Sequence, residues 1–128
     1  MRRAAEGTNN PPPAGPYSHA VKVDRLIATA GQVGVDPLTG EPAGSDVRSQ
    51  TRQAIANLRA VLEESGAGLD SVFKVGVFLT CYEDFPAMNE VYRDLMPSPF
   101  PARSTVYVGL NPGLLVEIEA LAYVDQPS

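Results

Sequence analysis

The chain has 128 residues, enough for one domain with a real buried core and too few for two. Fifteen acidic against ten basic side chains give a net charge of −5, and the basic residues are scattered, whereas nucleic-acid binders group theirs to meet phosphates. With one cysteine, Cys81, and one histidine, His19, there is no intrachain disulfide and hardly the material for a zinc site of the usual kind.

Residues 1–16 carry Asn9-Asn10-Pro11-Pro12-Pro13 and Gly15-Pro16, so they read as an extended arm, flexible over about residues 1–12, ahead of a single domain that otherwise fills residues 1–128. Met1-Arg2-Arg3 leads into no apolar signal core, and no apolar run reaches the roughly eighteen residues of a membrane span. A cytoplasmic protein without membrane contact is expected. Ala20-Val21-Lys22-Val23 and Leu26-Ile27-Ala28-Thr29-Ala30 flank Asp24-Arg25 and predict a hairpin. After a turn-rich loop around Asp36-Pro37-Leu38-Thr39-Gly40, residues 46–65 place Val47, Thr51, Ala54, Leu58 and Val61 on one helical face, and Gly66 and Gly68 stop the helix. Residues 72–80 alternate as a strand, with Phe73, Val75, Val77 and Leu79 on one face and Val72 and Phe78 on the other. Asp84 is a candidate cap for a second helix with Pro86 in its first turn and Phe85, Met88, Tyr92 and Leu95 on its buried side. Strands at about 103–109 and 114–124 complete an order β-β-α-β-α-β-β, an α+β sheet with two helices on one face. Apolar residues on the uncovered face then call for an oligomer packed sheet to sheet.

The familiar catalytic signatures are absent: no Walker-type loop, no Gly-x-Gly-x-x-Gly after a strand, no HExxH and no nucleophile elbow. Nothing in the pattern activates Cys81, which reads as a structural thiol, and His19 reads either as a general base or as a surface ring, the second favoured. Gly15-Pro16-Tyr17-Ser18 aims an aromatic ring with a polar tip from a rigid turn, as a site wall or as part of the core. Gly31 closes a strand either as a β-bulge or as a point where backbone approaches a ligand. Arg103 stands at the mouth of an apolar strand and Glu117 follows fourteen residues later across Leu110-Asn111-Pro112-Gly113. On one hairpin the two make an ordinary cross-strand ion pair.

Taken together, Gly15-Pro16-Tyr17-Ser18, Thr29-Ala30-Gly31-Gln32, Gln50-Thr51-Arg52-Gln53-Ala54 with Asn57-Leu58, Asn89-Glu90-Val91-Tyr92, Phe100-Pro101-Ala102-Arg103-Ser104 and Val116-Glu117-Ile118-Glu119-Ala120 resemble, in order and spacing, the reactive intermediate deaminase (Rid/YjgF) family, in its arginine-bearing, RidA-like subgroup. The likeness covers about residues 11–124. It implies a chorismate-mutase-like α+β homotrimer with clefts between subunits. It also implies hydrolysis of 2-imino and enamino acids, such as 2-iminopropanoate and 2-iminobutanoate released by pyridoxal-phosphate enzymes, to 2-oxo acids and ammonia, without metal or cofactor. By that resemblance Arg103 grips the substrate carboxylate, Glu117 orients or activates water, and Tyr17, Gly31, Asn89 and Thr105 line the cleft, the last through its backbone N–H. Ala30, where many relatives have serine, and Thr105, where many have cysteine, bear on substrate preference, and Asn111-Pro112-Gly113 replaces a more basic loop at the rim. The alternatives are a non-catalytic trimer that binds small carboxylates, a hydrolase of a larger pathway enamine, and an endoribonuclease, which the acidic charge disfavours.

Overall fold

The structure, a computed structural model, describes residues 1–4 and 12–125. Helix α1, Val47–Glu64, begins where the Asp46 carboxylate accepts the Ser49 N–H at 3.0 Å, a contact that holds that carboxyl below its ordinary value. It ends at Ser65 as Gly66 turns to φ 86°, a conformation that favours glycine, and Ala67 N–H returns to Leu62 O at 2.8 Å. Its inward face buries Val47, Thr51, Ala54, Ile55, Leu58, Val61 and Leu62, the expected stripe widened by Ile55 and Leu62. Gln50 is fully buried on that face. Its side-chain amide donates to Gly44 O and Gly113 O at 2.9 Å each and accepts the Leu115 N–H at 2.8 Å, which locks the helix to the loop before the last strand.

Six further segments extend: β1 Arg3–Ala4, β2 Ala20–Val23, β3 Leu26–Thr29, β4 Gln32–Val33, β5 Val72–Leu79 and β6 Ala102–Tyr107, followed by β7 Val116–Tyr123. The second helix, α2 Phe85–Leu95, links β5 to β6. They form one sheet in the order β1-β2-β3-β7-β5-β6, with β4 also pairing β7. The α+β architecture is therefore the expected one with two short strands added. The arm is described only in part: Arg3–Ala4 pair with Lys22 and Val21, and residues 5–11 lie outside the described residues. Both helices cover one face, over Val75, Val77, Leu79, Val116, Ile118, Ala120 and Ala122, each at most 4% exposed. Val23, Leu26, Val106, Leu121 and Tyr123, on the other face, remain 39–51% exposed.

Several local expectations need correction. A register shift between Val72 and Lys74 takes Phe73 out of the alternation, leaving Phe73 46% exposed and pairing Val72 with Ala122 on the helix side. On α2, Val91 is buried and Leu95, the last residue of the helix, is 42% exposed. Asp84 precedes α2 but makes no side-chain cap. The largest correction concerns Arg103 and Glu117, which do not share a hairpin. β6 runs parallel to β5 through the α2 crossover, β7 runs antiparallel to β5 on its other side, and β5 therefore lies between them. The turn at Leu110–Gly113 is real, with Leu114 N–H on Asn111 O at 3.1 Å, but it belongs to a connection that crosses the end of β5.

Candidate active site

β3 and β4 are one strand broken by a bulge. Ala28 pairs with Leu121 and Gln32 with Ile118, so residues 29–31 face only 119–120. Thr29 Oγ1 fills the gap in the ladder by accepting the Ala120 N–H at 3.0 Å. The bulge reading of Gly31 holds, and the glycine also admits the Glu117 side chain: a Cβ on Gly31 would stand 2.6 Å from Glu117 Cδ and 2.7 Å from Cγ. Gly31 and Glu117 thus touch, on the face away from the helices, where Glu117 pairs with Val33 and Phe78.

Tyr17 belongs with this group. Its exposed ring meets His19 edge to face, with centroids 6.3 Å apart. His19 accepts the Ala30 N–H at 2.7 Å through its carbonyl, and its ring faces Gln32 Nε2 at 3.5 Å. The Tyr17 arm is therefore tied to the residues on either side of Gly31.

Arg103 and Asn89 come together in a second group, and Thr105 lies two residues along β6 from Arg103, outside the lining of their cleft. Arg103 pairs with Val75 and Thr105 with Val77, and both side chains lie on the helix side at the sheet edge. The Arg103 guanidinium stands 4.6 Å over the Tyr92 ring centroid and 5.7 Å from that of Phe85. Stacking of this kind contributes on the order of 1 kcal/mol and leaves the planar N–H fork open to an anion. Among the described residues no carboxylate comes within 4.0 Å of Arg103. Burial pushes the Tyr92 phenol upward, partly offset by the nearby Arg103 charge, and its buried hydroxyl has no hydrogen-bond partner. Arg103, Asn89, Tyr92, Arg93, Phe100 and Pro101 line an open cleft of about 370 Å³.

Arg103 and Glu117 are thus two strands apart on opposite faces of the sheet, and no ion pair joins them. Phe85 and Tyr92 were expected only as core on α2; their seven-residue spacing shows a shared helix face, but nothing in the sequence pairs that face with residue 103. Cys81 donates its thiol to Glu83 at 2.8 Å, which raises its pKa, opposite to an activated nucleophile. No group of three or more His, Cys, Asp and Glu side chains suited to a metal occurs among the described residues. Nor, among them, is any helix long and apolar enough to cross a membrane.

Burial pushes the Glu117 carboxyl above its ordinary value of 4.5, and Glu119 adds to the push. A raised folded-state pKa means stability that is full below the unfolded value and is lost as pH rises through the folded one. Glu117→Gln, which mimics the protonated side chain, is accordingly expected to gain stability over the wild type at about pH 7 that it lacks at about pH 4. Urea midpoints at the two pH values check this, and equal differences at both would refute it.

Over residues 7–124 the chain matches the family described as endoribonuclease L-PSP. It is 47% identical over 114 residues to a RutC family protein of Pyrococcus abyssi, covering 88% of this chain and 90% of that protein. A protein of Dermatophagoides farinae named 2-iminobutanoate/2-iminopropanoate deaminase is 42% identical over 116 residues, 90% of this chain and 91% of its own. Among solved structures, RidA from an Antarctic Psychrobacter matches with a TM-score of 0.89 at 38% identity, covering 95% of this chain and all of that one. With motifs, fold and near full-length relatives in agreement, the chain belongs to the endoribonuclease L-PSP family, that is, the reactive intermediate deaminase (Rid/YjgF) family.

Proposed function

We propose that this protein is a metal-independent hydrolase of short 2-imino acids, acting on 2-iminopropanoate and 2-iminobutanoate in a site completed between copies of the chain. The observation that carries this reading is the Arg103 fork, stacked on two aromatic rings with no carboxylate among the described residues within 4.0 Å of it. Such a group suits bidentate capture of a substrate carboxylate. The deaminase name of a 42% identical relative supports the same reaction.

In the proposed reaction Arg103 holds the carboxylate, and the Gly31 and Thr105 backbones with Asn89 and Tyr17 orient the rest. Glu117 accepts a hydrogen bond from one water and takes its proton as the oxygen adds to C2 of the iminium. Glu117 returns that proton to the nitrogen, and the C2–N bond breaks as the hydroxyl on C2 gives up its proton to Glu117 and becomes the carbonyl, leaving a 2-oxo acid and ammonia. No electrons change hands, and an iminium carbon is electrophilic enough that positioning and one carboxylate suffice.

Because Arg103 and Glu117 face opposite sides of one sheet, the shared site joins Arg103, Asn89 and Thr105 of one subunit to Tyr17, Gly31 and Glu117 of another. The exposed apolar face of Val23, Leu26, Val106, Leu121 and Tyr123, which a homotrimer packed sheet to sheet would cover, supports this arrangement. A cytoplasmic setting beside pyridoxal-phosphate enzymes that release imines is part of the same proposal. RNA as a substrate is disfavoured by the net charge of −5.

The test generates 2-iminobutanoate with a threonine dehydratase and follows its decay. Wild type is expected to accelerate the decay, and Arg103→Ala and Glu117→Gln each to fail alone. Subunits of the two variants, mixed at random, are expected to recover about one intact site in four. No acceleration by the wild type ends the deaminase reading; no recovery on mixing ends the shared site.

A further inference from the structure

The cleft that exposes Arg103 contains a second guanidinium. Arg93, exposed in the last turn of α2, lines the same opening beside Asn89. Among the described residues of one subunit, no carboxylate lines this cleft and neither arginine has one within 4.0 Å. Glu90, three residues before Arg93, is taken up by Arg48 at 2.6 Å. Two unneutralised guanidiniums in one opening repel each other, which a bound dianion relieves, and in a chain of net charge −5 they make a local positive site. Within one subunit the volume of about 370 Å³ falls within the range of small-ligand pockets and exceeds what a four-carbon monoacid fills.

Resting on the deaminase reading, we infer that the preferred substrates are 2-imino dicarboxylates of about four or five carbons, 2-iminosuccinate and 2-iminoglutarate. The 1-carboxylate lies on Arg103 and the distal carboxylate on Arg93. Water adds to C2, the C2–N bond breaks, and the iminium and water become a 2-oxo dicarboxylate and ammonium with no redox change. Asn89, which lines the same cleft, offers a neutral amide to a carboxylate oxygen.

The experiment is calorimetric binding of the product-side acids, which needs no turnover. Wild type is expected to bind 2-oxoglutarate or oxaloacetate about tenfold more tightly than 2-oxobutanoate, one charge-assisted contact's worth of selectivity. That ratio is expected to fall to near one in Arg93→Ala, below one in Arg93→Glu, and to recover in part in Arg93→Lys, which keeps the charge and loses the fork. A wild-type ratio near one, or one that all three variants preserve, overturns the proposal. A parallel arm follows 2-iminosuccinate made by an aspartate oxidase. If neither imine is accelerated while the binding ratio stands, the deaminase reading fails and the dicarboxylate site survives. Loss of all binding of oxo acids by the wild type overturns both.

Discussion

Arg103→Ala is expected to lower kcat/KM for 2-iminobutanoate by about a hundred- to a thousand-fold while leaving the protein folded. A bidentate guanidinium–carboxylate contact supplies two charge-assisted hydrogen bonds of about 1.5–2 kcal/mol each, and each 1.36 kcal/mol is about tenfold in rate. The folded state loses much less. Arg103 has no ion-pair partner among the described residues, so alanine removes one cation–π contact over Tyr92 and Phe85, on the order of 1 kcal/mol. Arg103→Lys keeps a charge but cannot present a planar fork, so it is expected to recover at most about tenfold of the lost rate. Steady-state kinetics on the coupled imine assay, with a thermal melt of each variant, separates the two effects. An alanine variant that keeps more than about a third of wild-type kcat/KM removes Arg103 from the reaction.

Gly31→Ala is expected to cost about a hundredfold in kcat with a small change in stability. The backbone at Gly31 is not in the left-handed region, so alanine brings no φ penalty there. The added methyl instead meets Cγ and Cδ of Glu117 at 2.7 and 2.6 Å, and a flexible half-buried glutamate yields by rotating away. Displacing a water-directing carboxylate by about 1 Å is enough for a hundredfold loss. Melting temperature near wild type together with wild-type kcat would show that Glu117 keeps no catalytic post over Gly31. Comparison with Gly34→Ala sharpens the result. There the Cβ would stand 2.6 Å from Gln50 Cα, helix backbone that cannot rotate aside, so stability is the quantity that falls.

The amino-acid sequence by itself determined the elements and the family of this protein. Asp46, the stripe from Val47 to Val61 and Gly66 set α1 through contacts within a few residues of one another, and the Asp24-Arg25 hairpin closes just as locally, with Val23 opposite Leu26. Motif order across about 110 residues pointed to the family, which the family match over residues 7–124 shows. Only the tertiary structure decided how those residues relate. Strand partners are chosen over long sequence separations, so nothing local shows that β5 enters between β6 and β7. That one choice turns an apparent ion pair into two residues on separate strands and opposite faces. It is also the packing of α2 on the sheet edge that puts Tyr92 under Arg103 and opens Arg93 onto the same cleft. The close approach at Gly31 has the same origin: the bulge at residues 29–31 is set by pairing with β7, and the Glu117 side chain arriving from β7 leaves no room for a Cβ at position 31.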